Sequence, residues 1–124
     1  MGMLNELMES FNEEKNKTLV PKATKVEYDD GSGFEVHFYK DDTEIGKCAT
    51  CEFEGIPNAY LHAFEVKPKY RNKGYGSQIL KYMLDKYDCQ VLRVAKSNPA
   101  IRLYKRFGFK QTDEFNDKII TMRR

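Results

Sequence analysis

The sequence predicts a single α+β domain built around a mixed sheet. Two observations carry that expectation. Apolar residues switch between helical and alternating spacing along the chain, in the order helix, four strands, helix, strand, helix, two strands. The 124 residues, 40% of them hydrophobic, also suffice for one core, with no repeat, low-complexity segment or linker to divide them. Residues 1–124 are therefore read as one domain.

The elements follow in order. Leu4, Leu7, Met8 and Phe11 fall at i, i+3, i+4 and i+7, the stripe of an amphipathic packing helix that ends before Pro21. Residues 24–28 form a short strand. Asp29-Asp30-Gly31-Ser32-Gly33 reads as a hairpin turn, and Phe34, Val36 and Phe38 alternate with polar residues in the strand after it. Asp41-Asp42 marks the next turn, before a third strand over 44–53. The fourth strand, 59–66, is ended by Pro68. Ile79, Leu80, Met83, Leu84 and Tyr87 then follow at helical spacing, which predicts a helix from near Gly74 to about Tyr87. A short apolar strand over 90–95 precedes a helix over 98–107, with Pro99 in its first turn and Gly108 at its stop. Residues 109–112 and 118–122 form a closing hairpin.

Several function classes are excluded by composition. No apolar run approaches the ~20 residues that span a bilayer. The N-terminus lacks the basic-then-apolar order of a secretory signal, so no membrane is expected. A net charge of +2 leaves no footprint for nucleic acid, and Arg123-Arg124 is too short for a basic tail. The three cysteines (Cys48, Cys51 and Cys89) form no disulfide framework, and the odd number fits a reducing, cytoplasmic location. Cys48 and Cys51 have C-x-x-C spacing, but on a strand positions i and i+3 face opposite ways, so no metal is expected. His37, among alternating apolar residues, reads as a sheet residue. Acidic residues gather at Glu9, Glu13 and Glu14 and at Asp29 and Asp30. As a rim they would favour a cationic amine; as a solvated face they would select nothing.

The stretch "YRNKGYGSQIL" holds the sharpest signal. A strand that runs into a Gly-rich turn and then a helix presents several unpaired N–H groups at the positive end of the helix dipole. Such a place binds anions, phosphate above all. Gly74 and Gly76 let the backbone approach closely, and Arg71 and Lys73 add full charges. The P-loop pattern is absent, and the dinucleotide fingerprint fails because Ile79 occupies its third glycine position. On these residues alone, a diphosphate cradle and an ordinary helix start both remain open.

A second motif narrows the choice. "VKPKYRNKGYGSQIL" resembles the pyrophosphate-binding motif of the GNAT N-acetyltransferase superfamily, Gln/Arg-x-x-Gly-x-Gly/Ala, matched by Arg71, Gly74 and Gly76. "SNPAIRLYKRFGF" resembles that family's second signature through Asn98, Leu103, Tyr104, Gly108 and Phe109, with the alanine at Ala100 one place early. With the strand order, the resemblance covers about residues 24–122. It implies a GNAT-like, mostly antiparallel central sheet flanked by helices, with strands 4 and 5 splayed apart. The departure is at the front, where the family places two helices between its first and second strands and this chain places a single helix before all of them.

The resemblance implies an acetyl-CoA-dependent transfer to a primary amine, on a small molecule or on a protein lysine or N-terminus, by direct attack in a ternary complex. The backbone of Arg71, Asn72, Lys73, Gly74, Tyr75, Gly76 and Ser77 would cradle the pyrophosphate of acetyl-CoA, with Asn98 also at the cofactor. The backbone of Phe64 and Val66 would pair with the pantetheine arm, and the Val66 N–H would face the developing oxyanion. Tyr104 matches the family's proton donor to the leaving thiolate.

A general base is less legible. A lysine amine has a pKa near ~10.4, so about one in a thousand is neutral at physiological pH. Where some relatives place a glutamate on the fifth strand, this chain has Arg93. His62 and Glu65 are the remaining candidates. Their odd separation puts them on opposite faces unless a bulge intervenes, and proximity alone can carry much of the rate. A CoA-binding sensor or interaction module without turnover is the alternative. A strand edge near the C-terminus could pair in a homodimer.

Overall fold

A computed structural model of the protein describes residues 19–29 and 31–124. The helix predicted around Leu4, Leu7, Met8 and Phe11 lies outside the described residues. Four antiparallel strands lead the fold: β1 (Val20–Tyr28), β2 (Gly31–Lys40), β3 (Thr43–Phe53) and β4 (Ile56–Val66). A 3-10 turn at Pro68–Tyr70 and helix α1 (Tyr75–Tyr87) follow. Next come β5 (Val91–Ala95), α2 (Ile101–Arg106), β6 (Lys110–Glu114) and β7 (Ile119–Arg123). The strands join one seven-stranded sheet in the order β1-β2-β3-β4-β5-β7-β6, in which β4 and β5 are the parallel neighbours.

Each strand and helix predicted within the described residues is present, with shifted ends. Strand β1 starts at Val20 because the ladder to β2 extends to Val20 opposite Tyr39. Strand β4 starts at Ile56, held opposite Phe53. Helix α2 is shorter than its pattern. Asn98 Oδ1 accepts a hydrogen bond from the Ala100 N–H at 2.8 Å, so residues 98–100 form a turn before the helix. The first two strands are joined directly by a hairpin whose last registered pair is Tyr28 with Gly31.

The core lies between the sheet and α1. Ile79, Leu80, Met83 and Leu84 are buried on that helix, against Val36, Phe38, Cys48 and Leu61 from the strands and Tyr104 and Phe109 from the C-terminal segment. Each fully buried aliphatic side chain contributes roughly 1.5–3 kcal/mol by leaving water. Strands β4 and β5 share one registered pair, Tyr60 with Val91, and then diverge towards their carboxyl ends.

Strand β4 also carries an extra residue. Lys47 registers with Glu65, but Ala49 registers with His62, so two positions of β3 span three of β4. Ala63 sits in the bulge with φ 54°. The bulge resets the alternation, and His62 and Glu65 come to share the sheet face turned away from α1. Gly46 permits this contact: a Cβ there would lie 2.4 Å from the Glu65 carbonyl oxygen.

That same face carries an ion-pair network. His37 bonds Glu44 through Nδ1 and Glu35 through Nε2, and Lys67 Nζ reaches Glu44 at 3.0 Å. The Glu44 hydrogen bond, then the Glu35 one, raises the His37 pKa above its ordinary 6.5. The same bond to His37, then Lys67, lowers Glu44 below its ordinary 4.5. His37 therefore adds stability that is complete below about 6.5 and fades as pH rises through its raised folded-state value. Glu44 adds stability that is complete above about 4.5 and fades as pH falls through its lowered value. The network is at full strength between those limits. We expect His37→Gln to flatten the loss of thermal stability between pH 6 and 9. The difference should be no more than about 1 kcal/mol, because both side chains keep a quarter or more of their surface in water. Denaturation of both proteins across that range checks it; parallel curves would remove His37 from the account.

Candidate functional site

Where β4 and β5 part, the chain leaves a cavity of about 730 Å³. Of the residues singled out from sequence, Phe64, Glu65, Val66, Arg71, Asn72, Gly76 and Asn98 line it. Lys73, Gly74, Tyr75, Ser77, Tyr104 and His62 do not. The remaining wall comes from Tyr70, Ala95, Ser97, Pro99, Ala100 and Leu103; the sequence placed Pro99, Ala100 and Leu103 in the second helix and its motif but assigned none of the six to the site. The available signal was topological: the carboxyl ends of adjacent parallel strands open on one side, so the loop after β5 must face the loop after β4.

The backbone of Val66 is directed into this gap. Lys67 N–H donates to the Ile45 carbonyl at 2.9 Å, which holds Lys67 to β3. Backbone groups alternate sides along a strand, so Val66 points its N–H and C=O the other way, towards β5. Arg71 Nε donates to the Val66 carbonyl at 2.8 Å. The Val66 N–H is left facing the splay, because β5 has no registered pair with β4 beyond Tyr60. Arg71 therefore braces the strand end with the side chain that the sequence reading directed at a phosphate.

The loop into α1 turns through two left-handed residues, Asn72 at φ 62° and Gly74 at φ 86°. Gly74 is the N-cap of α1 and supplies no side-chain cap. The N–H groups of the first turn are thus presented together beside the cavity, at the positive end of a 13-residue helix. Gly76 forms part of the floor: a Cβ there would sit 3.4 Å from both Leu103 and Phe64. Asn98 spends its side-chain oxygen on the Ala100 N–H, so it shapes the rim from the far side.

Tyr104 is buried, with its ring 6.0 Å from that of Phe64, a cavity wall residue, and 6.1 Å from Phe109. Burial first, and the Cys48 thiol second, push its phenol well above the usual range, so the hydroxyl stays protonated. His62 lies between aromatic rings, 5.8 Å from Tyr28 and 5.8 Å from Tyr60. Its Nε2 is buried with no hydrogen-bond partner among the described residues. Burial lowers its pKa below 6.5, against smaller upward pulls from the Thr50 backbone and Glu35, so the ring is neutral at physiological pH. Glu65 is exposed on the same face and lines the cavity directly. Cys48 and Cys89 are buried, and burial raises both thiols, Cys89 to about 12, which leaves them unreactive.

This arrangement has known relatives. Residues 32–111 match the Acetyltransferase (GNAT) domain, so the chain belongs to that family. Among solved structures, Escherichia coli ElaA resembles it with a TM-score of 0.57 at 16% identity, covering 76% of this chain and 69% of that one. Neisseria gonorrhoeae N-acetylglutamate synthase, solved with coenzyme A and L-arginine, resembles it with a TM-score of 0.54 at 20% identity. That likeness covers 72% of this chain and only 24% of the synthase. The Campylobacter jejuni N-acetyltransferase PseH gives a TM-score of 0.52 at 21% identity, covering 73% of this chain and 65% of that one. At these identities the likeness is one of fold. No curated protein matches the chain in sequence.

The geometry at Gly74 can be tested on its own. Space is open around it, so only the left-handed backbone restricts the side chain. Gly74→Ala should cost about 1 kcal/mol, and Gly74→Asn should recover part of that loss, because asparagine tolerates the left-handed region. Thermal denaturation of the two variants checks this; equal losses would point to some other cause.

Proposed function

We propose that the chain is an acetyl-CoA-dependent N-acetyltransferase acting on a primary amine, of a small molecule or of a protein lysine or N-terminus, by direct attack in a ternary complex. The observation that carries this reading is the Val66 N–H, aimed into the splay of β4 and β5 within reach of the α1 N-terminus. The residues present fit acetyl-CoA. An unpaired strand edge at Phe64 and Val66 suits an amide-bearing arm, and the turn from Arg71 through Ser77, with its first-turn N–H groups, suits a pyrophosphate.

Acetyl-CoA would supply an activated thioester; the chain's own groups do the rest. The Val66 N–H offers a fixed donor to negative charge growing on a carbonyl oxygen, a kind of contact worth roughly 3–4 kcal/mol. By its motif position Tyr104 is assigned the proton transfer to a departing thiolate: its ring packs against the Phe64 wall, and burial keeps the phenol protonated while making it a weaker acid. Glu65, on the cavity wall, and neutral His62, three residues before it on the same face, can accept a proton from an incoming ammonium directly or through water. The three cysteines, none of them in a disulfide, fit a reducing, cytoplasmic location.

Thermal-shift titration with acetyl-CoA, CoA and ATP tests the cofactor half of the reading. A ligand at 100 times its dissociation constant adds about 2.7 kcal/mol, several degrees for a domain of this size. Both CoA species should raise the transition and ATP should not, and Gly76→Glu should abolish the rise. Release of free thiol from acetyl-CoA across an amine panel tests the transfer, with Tyr104→Phe expected to lower kcat at least ~10-fold while the thermal shift persists. A retained shift with no thiol release from any amine would make the chain a CoA-binding module without turnover. The absence of any CoA shift would overturn both readings.

A further inference from the structure

On the sheet face that carries Glu65 and His62, two arginines are set among aromatic rings. The Arg93 guanidinium lies 4.2 Å from the ring centre of Phe115 and 5.6 Å from that of Phe53. The Arg123 guanidinium lies 5.4 Å from the same Phe53 ring, which stacks on Tyr60 at 5.7 Å. Neither guanidinium has a carboxylate or hydrogen-bond partner among the described residues. In contrast, Arg71 bonds the Val66 carbonyl, and Arg124 bonds the Cys89 carbonyl and Asp88. A guanidinium held over a ring by the cation–π attraction keeps its N–H groups available, and that fork can grip carboxylate or phosphate in a bidentate manner.

The location matters as much as the chemistry. Tyr60 and Val91 are the registered pair of β4 and β5, and Arg93 stands two residues beyond Val91 on the same face, level with His62 across the opening. Ala95, two residues further along, lines the cavity. Arg123 registers opposite Val91 from the next strand. Arg93 therefore stands at the root of the splay on the Glu65 side, opposite α1, with Arg123 beside the closed Tyr60–Val91 pair; both lie next to the cavity and not in its lining. We propose that Arg93 and Arg123 bind an acidic group, carboxylate or phosphate, carried by the small amine that receives the acetyl group; this rests on the acetyl-transfer reading above. Arg93 is level with His62, and Glu65 lies three residues or roughly 10 Å further along the strand, so an acid held at Arg93 leaves the acceptor's amine within about that span of either base.

Matched pairs of amines test the proposal: γ-aminobutyrate against n-butylamine, and glucosamine phosphate against glucosamine. Thiol release should favour the acidic member of at least one pair, and which pair responds separates carboxylate from phosphate. Arg93→Gln and Arg123→Gln should each cut that preference at least ~10-fold. Arginine side-chain NMR reads binding without turnover: with CoA present, the Nε–H signals of Arg93 and Arg123 should move with the acidic amines and stay still with the neutral ones. No movement with either acidic amine, or movement only with an acidic peptide, overturns the proposal. Because the acetyl-CoA thermal shift is read separately, its loss would sink the transfer reading instead.

Discussion

The divergence of two parallel strands governs the rest of the structure. Strands β4 and β5 meet at Tyr60 and Val91 and then separate, so backbone groups that a closed sheet would satisfy are left over. A buried, unsatisfied donor costs roughly 1–3 kcal/mol, and a fold tolerates only a few. Much of that cost is removed locally. Arg71 takes the Val66 carbonyl, and the cavity keeps the remaining edge accessible. Aromatic bulk beside the gap helps to keep the strands apart. Phe64 packs against Tyr104, and Tyr104 against Phe109, which joins α2 and the start of β6 to the wall of β4.

The bulge at Ala63 extends the effect of the divergence across the sheet. Without it, Glu65 would face α1 and Phe64 would face away. With it, Phe64 and Val66 meet Gly76 on the helix side, while Glu65 joins His62 on the other. One extra residue thus separates a side facing α1 from the opposite side along the same three positions. Gly46 is the matching adjustment on β3, because any side chain there would strike the Glu65 carbonyl.

The strands and helices of the described residues were legible because each buries one face, and burial imprints a period on the sequence. Phe34, Val36 and Phe38, and Ile79 with Met83, are core residues found by spacing alone. The turn at Gly74 was legible for a related reason: left-handed backbone favours glycine. What stayed hidden depends on partners far away in sequence. The bulge is a property of the register between β3 and β4, and Ala63, with φ 54°, gives no compositional hint of it. The bond from Arg71 Nε to the Val66 carbonyl was also hidden, because the charge of Arg71 is visible in sequence and the carbonyl it meets is not. Ser97 and Ala100 reach the cavity only because β5 runs parallel to β4.

The short link between the first two strands has a consequence for specificity. Tyr28 and Gly31 close a hairpin, so no helices stand between β1 and β2 to fold over the face opposite α1. Among the described residues, whatever approaches the splay from that side meets the side chains of the sheet and of the loop before β7. These are Glu65 and the His62 ring on β4, Arg93 on β5, Arg123 on β7 and Phe115. On the proposed reading, selectivity would come from a few groups fixed by their neighbours. Rings hold the two guanidiniums, and rings also flank the imidazole. Phe53, the ring that both guanidiniums share, is itself stacked on Tyr60, so it holds a charged group in place and loses little further freedom when a ligand arrives.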